Sequence, residues 1–298
     1  MKKLFILLSL VFIAKISFAE QVISTEYEFY DRKENDYSSI KMTYSLRMGA
    51  NMASLKYSTY LGEDDDMRLQ EASLAYFHFG DKHLFGGFAG SSSDKPFNTA
   101  NLMNAVALYG YSVYSKVLEE REVTLPDGRK FPFYRKSRLY LGIAVASQPV
   151  FLNTYFFPLV SYSYMGKNFH LRLGVPSNGI TFTPSEMHKI DIDISLSDNY
   201  KITYAFAPTE ADTATLFYGK EIEGYVLSEY DDRDKTLWYQ KEWIRLSYEH
   251  IFFDFLGVEA STGYMLSGNY YLGDYFRKKG NMKLPNQYLF GVKLSAYF

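Results

Sequence analysis

Side-chain character along this 298-residue chain alternates with a period of two. In Lys41-Met42-Thr43-Tyr44-Ser45-Leu46-Arg47-Met48 the even positions are large and apolar and the odd ones polar or charged. Phe169-His170-Leu171-Arg172-Leu173, Ile190-Asp191-Ile192-Asp193-Ile194-Ser195-Leu196 and Ile244-Arg245-Leu246-Ser247-Tyr248-Glu249 repeat the pattern. A strand projects successive side chains to opposite faces, so each segment has one greasy and one wet face. Residues 139–166 carry no charge at all. They also hold Gly142, Pro149, Asn153 and Pro158, and Leu139, Leu141, Ile143 and Val145 fall on every second position, a strand pattern with turn residues and not a spanning helix.

The N-terminus reads as a secretory signal. Lys2 and Lys3 precede an uncharged apolar run from Leu4 to Ala14, and Ser17-Phe18-Ala19 places small residues at −3 and −1 of a cleavage site before Glu20. The run is short for a bilayer, and Lys15 ends it. The expected organisation is a signal peptide at 1–19 and a single domain at 20–298. Taking Lys2, Lys3 and Lys15 from 32 basic residues leaves 29 against 34 acidic, a net of −5. Nucleic-acid binding, which needs a basic surface, is not expected. With no Cys, disulfides, thiolate metal sites and lipid attachment to cysteine are excluded.

Soluble and membrane barrels both alternate, and three global features separate them. The chain ends with Phe290, Val292, Leu294, Ala296 and Phe298 on one face of an alternating segment. That pattern resembles the terminal strand signal which bacterial outer-membrane barrels present to their assembly machinery, with the small Ala296 a mild departure. Aromatic residues make up 18% of the chain, 28 of them Tyr, although mean hydropathy is only −0.21. Tyr suits the two interfacial girdles of a membrane barrel better than a dry core, where each hydroxyl needs a partner. Apparent turns are short at 80–82, 165–168 and 253–254 and longer at 91–102 and 268–285, the habit of short periplasmic turns and long external loops.

The expectation is an all-β, transmembrane, antiparallel up-and-down barrel of about 12–16 strands in the bacterial outer membrane, both termini periplasmic. Sixteen segments are readable, but 179–183 is too short to span, since a tilted strand needs ~9–11 residues. The pairs 103–124/129–147 and 214–230/235–252 exceed what a membrane requires. They are expected to protrude as hairpins turning at Pro126-Asp127-Gly128 and Asp231-Asp232-Arg233-Asp234. Little length remains for a second domain or a plug.

No catalytic motif stands out. The histidines are His78, His83, His170, His188 and His250. Outer-membrane phospholipases place a nucleophilic Ser two residues after a His, and lipid A deacylases use a His-Tyr-Ser cluster. Here the residues two past each His are Gly80, Phe85, Arg172, Ile190 and Phe252. A Ser-His pair from separate strands stays open. Asp64-Asp65-Asp66 and Asp231-Asp232-Arg233-Asp234 suggest solvated turns, or divalent-ion contacts to lipopolysaccharide, without the ligand spacing of a metal loop. No metal or other cofactor is expected.

The polar face carries Arg47, Arg138, Arg172, Asp191, Asp193, Arg245, Glu249 and Lys293, which alternation assigns to the lumen. There they would either pair into a network that fills the barrel or line an aqueous path. Leu159-Val160-Ser161-Tyr162-Ser163-Tyr164-Met165-Gly166, followed by Leu171-Arg172-Leu173-Gly174-Val175-Pro176, is similar to an uncharacterised family of conserved outer-membrane barrel proteins. The resemblance implies fold and location, with lipid, lipopolysaccharide and the assembly machinery as partners. It implies no activity. A non-enzymatic small-solute channel or structural surface protein is the first expectation. A lipid-modifying hydrolase and a soluble periplasmic β protein are the alternatives.

Overall fold

The computed structural model describes residues 20–31, 37–48, 51–62, 68–95, 103–124, 130–147, 155–175, 177–195, 199–226, 236–273 and 278–298. The signal expected at 1–19, both acidic runs and the turn expected at Pro126-Asp127-Gly128 lie outside these residues. The strands, in chain order, are β1 (Glu20–Asp31), β2 (Tyr37–Met48), β3 (Asn51–Gly62), β4 (Arg68–Phe79), β5 (His83–Ser93), β6 (Met103–Thr124), β7 (Lys130–Ala146), β8 (Phe156–Met165) and β9 (Phe169–Val175). They continue with β10 (Ser177–Ser185), β11 (His188–Ser195), β12 (Tyr200–Phe206), β13 (Asp212–Val226), β14 (Thr236–Phe252), β15 (Leu256–Gly273), β16 (Lys278–Leu284) and β17 (Tyr288–Tyr297).

Each strand from β1 to β15 pairs antiparallel with the next, and β1 pairs with β17 from Val22↔Tyr297 to Asp31↔Tyr288, which closes the sheet. Closure removes the edges that an open sheet would expose. The circumference counts sixteen strands, because β16 and β17 together form one wall strand against β15. β17 pairs with its first half and β16 with its second. Pro285, which has no N–H for the ladder, sits in the break, and Met265 N donates to Gln287 O at 2.9 Å to bridge it.

Three expectations need correction. Residues 268–285 are not a loop: β15 runs to Gly273 and β16 occupies 278–284. The segment at 179–183 is a full wall strand of nine residues, because Ser177, Asn178 and Ser185 also pair with β11. The presumed loop at 91–102 begins as strand as far as Ser93. All three errors cut strands short at polar or glycine residues, which a ladder tolerates when both neighbours are already paired.

The start of β1 and the end of β17 lie at one end, here called the terminal rim, and the turns at 80–82, 166–168 and 253–255 lie there as well. The two long hairpins leave from opposite ends. β13 and β14 rise at the distal mouth. β6 and β7 run past the terminal rim, where β6 leaves β5 after Tyr111 and β7 joins β8 only from Ser137. That ribbon projects roughly 30 Å at ~3.4 Å per residue. The terminal rim therefore carries one long hairpin among its short turns.

Outside, the alternation leaves apolar side chains exposed: Leu55, Leu74, Leu246, Phe290, Val292 and Leu294 are each at least half accessible, and Phe298 nearly so. That is the surface of a barrel made to sit in lipid. Inside, two small apolar clusters interrupt the polar wall. Trp243 packs on Leu289 with Phe217 beside it, and Leu84, Tyr140 and Leu159 pack together near Leu108.

Candidate functional site in the barrel lumen

The inner face is identified by contacts that cross the ring. Arg245 on β14 reaches β1, three strands away past β15 and β17. Its Nη1 donates to Glu28 at 2.8 Å and its Nη2 to Glu26 at 2.5 Å. Such a reach is possible only across the concave side of the wall. Glu259 on β15 lies 3.8 Å from the same Nη2 and accepts from Lys293 of β17 at 3.0 Å. The Arg245 guanidinium also lies 5.6 Å from the centre of the Trp243 ring. Small side chains clear the way: a Cβ added at Gly291 would meet Ser261 Oγ at 2.6 Å, with Arg245 Nη2 at 3.5 Å.

A second network sits on the low part of the wall. Arg172 on β9 donates to Asp193 on β11 at 2.5 Å, over the backbone of Gly179 on β10. A Cβ at Gly179 would lie 2.7 Å from Asp193 Oδ1 and 2.8 Å from Arg172 Nη2, so glycine there is what lets the pair form. Asp191 accepts from Thr181 at 2.6 Å and faces Lys189 at 2.7 Å.

The remaining assigned charges are scattered. Glu249 accepts from the Tyr297 hydroxyl at 2.7 Å near the terminal rim, and Arg47 is exposed at the end of β2. Arg138 donates to Tyr140 at 3.2 Å and pairs with Asp81 in the β4–β5 turn, where Lys136 also reaches Asp81 at 3.2 Å. The Lys136 ammonium first, and then Arg138, hold the Asp81 carboxyl below the usual aspartate range.

The distal mouth holds groups that the sequence did not single out. Tyr60 on β3 donates to Glu223 on β13 at 2.9 Å and meets Tyr225 edge-on at 5.9 Å between ring centres. Val226 forms a parallel bridge with Ser93 of β5. Lys241, almost fully buried, lies 5.7 Å from the centres of the Tyr60 and Trp243 rings. The raised β13–β14 wall thus leans over the lumen and touches strands on the far side. Glu26, Glu28 and Glu223 all sit in alternating runs, so the period that flagged Arg245 also marks them. What the period lacks is any sign of which wall each would meet.

Beneath this contact, a cavity of about 290 Å³ opens against β4, β5 and β6, with Glu71, Phe77, Phe88 and Asn104 in its lining. Glu71 is held by Lys56 at 2.6 Å and by Ser58 at 3.4 Å, both on Oε2.

No protein-family model and no curated protein matches the sequence. The likeness of residues 159–176 to conserved outer-membrane barrels therefore stands on those residues alone. Among solved structures the chain is similar to OmpT, an outer membrane protein of Vibrio cholerae, at 9% identity over 94% of this chain and 96% of that one, with a TM-score of 0.30. It is also similar to the translocator domain of autotransporter NalP from Neisseria meningitidis, at 10% identity, 100% and 94% coverage, and a TM-score of 0.29. Pseudomonas aeruginosa OpdQ gives 10%, 94% and 97%, and 0.33. At these values none of them bears on function.

The five histidines all lie within two residues of the end of a strand that meets the terminal rim, His83, His170 and His188 at strand starts and His78 and His250 at strand ends. His78, His83, His188 and His250 share the outward face with exposed Tyr76, Tyr109, Tyr204 and Tyr248. His83 and His188 each sit within 2.9 Å of a Tyr hydroxyl, and His78 lies 2.8 Å from Asn51, which also accepts from Tyr76. His250 lies 2.8 Å from Asp212, whose other partners are Tyr248 and Thr209. No Ser hydroxyl is among these partners. The arrangement is a hydrogen-bonded aromatic girdle at one interface. Among the described residues no cluster of three His, Asp or Glu could hold a metal ion.

Proposed function

We propose that the chain is a non-enzymatic small-solute channel of the bacterial outer membrane, exported on its first 19 residues, with the terminal rim in the periplasm. One observation carries the reading: a closed sixteen-strand barrel whose inner wall bears ion pairs such as Arg245–Glu26, Arg172–Asp193 and Lys56–Glu71. Barrels of sixteen strands are wide enough to leave an aqueous path, and charges at membrane depth need water or one another. The outward apolar band supports a lipid setting and argues against a soluble periplasmic protein. The terminal strand ending at Phe298 serves as the assembly signal, and outer-leaflet lipopolysaccharide meets the distal rim.

Purified protein reconstituted in planar bilayers is expected to give discrete conductance steps that fall with added blocking polymer. Silence from protein that shows heat-modifiable migration on a denaturing gel removes the channel and leaves a structural surface barrel. Extraction from cells without detergent removes both.

A further inference from the structure

We propose that the lumen cavity is a binding site for a neutral sugar ring, which makes the solute of the proposed channel a small hydroxyl-rich pyranoside. The inner positions of β5 run Leu84, Gly86, Phe88, Gly90 and Ser92. Glycine on both sides leaves the faces of the Phe88 ring uncovered along its own strand. Ala75 is its cross-strand neighbour on β4 and Val106 its neighbour on β6. Phe88 is accordingly 43% exposed, outside both apolar clusters of the inner wall. Phe77 joins it in the cavity lining, backed by Phe79 at 6.2 Å between nearly parallel ring planes. Aromatic surface left in water on an inner wall is unfavourable unless a ligand covers it.

The remaining lining decides what that ligand is. Ser73, Ser92 and Asn104 face the same cavity, and their side chains have no hydrogen-bond partner among the described residues. Both bonds that hold Glu71 fall on Oε2, so Oε1 is available as an acceptor. Lys56 balances its charge at 2.6 Å, so the site has no net charge with which to select an ion. Two ring faces with hydroxyl, amide and carboxylate groups around them match a pyranose, which has apolar C–H faces and a polar rim of hydroxyls. A fatty acyl chain would leave those polar groups unpaired, and an anion would meet the Glu71 carboxylate. About 290 Å³ sits at the small end of ligand pockets, ~300–1,000 Å³, which favours one or two rings over a longer chain.

The proposal rests on the lumen being open to water, as the channel reading requires, but its test does not need conduction. Titration calorimetry on the folded protein in lipid nanodiscs would use maltose, lactose and N-acetylglucosamine, with gluconate and laurate as anionic and apolar comparisons. Saturable binding of at least one neutral sugar is expected. Phe88→Ala should weaken it about tenfold, the effect of losing one stacking face. Asn104→Ala should weaken it by a smaller factor, and Phe88→Tyr should retain it. Heat-modifiable migration would check that each variant is folded. No saturable binding by any of the three sugars, laurate binding in their place, or wild-type affinity in both Phe88→Ala and Phe77→Ala would each overturn the proposal. Sugar binding by protein that is silent in bilayers would uphold the site and remove the channel instead.

Discussion

Tyr60 and Glu223 are 163 residues apart in sequence, and the Tyr60 hydroxyl donates to Glu223 Oε2 at 2.9 Å and to Oε1 at 3.2 Å. Their strands, β3 and β13, lie on different sides of the ring. This bond, with Tyr225 packed against Tyr60 and Val226 bridged to Ser93, is what holds the raised wall over the lumen.

Removing it should widen the mouth. A hydrogen bond to a charged acceptor contributes about 1.5–3 kcal/mol, so Tyr60→Phe should shift the balance between narrowed and open mouths by roughly tenfold or more. Single-channel recording is the measurement, with longer or larger openings expected. An unchanged trace would mean that Tyr225 and Val226 hold the wall without help.

Arg245 supports the wall itself. Its two donors occupy Glu26 and Glu28, so Arg245→Met leaves two partly buried carboxylates without the guanidinium they share. Breaking such a group by removing one partner costs about 3 kcal/mol. The urea midpoint of the barrel in lipid should fall accordingly. Arg245→Lys should recover only part of it, because an ammonium lacks the fork that engages two carboxylates at once. Equal stability of the wild type and Arg245→Met would show that water screens this network.

Acid should loosen the base of the β6–β7 ribbon. Lys136 and Arg138 both pair with Asp81, and its carboxyl titrates below the unfolded value. A depressed folded pKa contributes stability that is fully present above the unfolded pKa, near 4, and is lost as pH falls through the folded one. The stability difference between wild type and Asp81→Asn should therefore be constant from neutral pH down to about 5 and shrink below about 4. Asp81 is largely exposed, so the difference is small. Chemical denaturation of both proteins across pH 3–7 measures it, and a difference that grows on acidification would reverse the sign.

The β14–β15 turn stores strain. Phe253 and Asp254 have φ of 55° and 63°, two consecutive left-handed residues in the three-residue connection between Phe252 and Leu256. Asp accepts that conformation far better than Phe, which costs roughly 1–2 kcal/mol there. Phe253→Gly should raise the unfolding midpoint by part of that amount. A lower midpoint would show that the exposed ring contributes more in the interface than it costs in the turn.

The alternation in Lys41–Met48 and Ile190–Ser195 told which residues share a face, and β2 and β11 form where that pattern runs. It also placed the outward band at Phe290, Val292 and Leu294. Errors came where polar or flexible residues continue a ladder, as at Ser177-Asn178 and from Gly268 onward, because a segment flanked on both sides by paired strands needs no period of its own.

The lumen was half legible. Arg172, Asp191, Asp193, Arg245, Glu249 and Lys293 were marked as one face, but their partners were not. Arg172 finds Asp193 over Gly179, and Arg245 finds Glu26 and Glu28 at the other end of the chain. A period of two is a local property of the chain, and it settles in from out for each strand separately. Which strands meet, how the ring closes and where one wall leans on another depend on register summed over all sixteen. The amino-acid sequence alone therefore determined an all-β wall with a greasy and a wet side. Only the tertiary structure decided that the wet side pairs across strands, narrows at Tyr60 and Glu223, and leaves a cavity at Phe88.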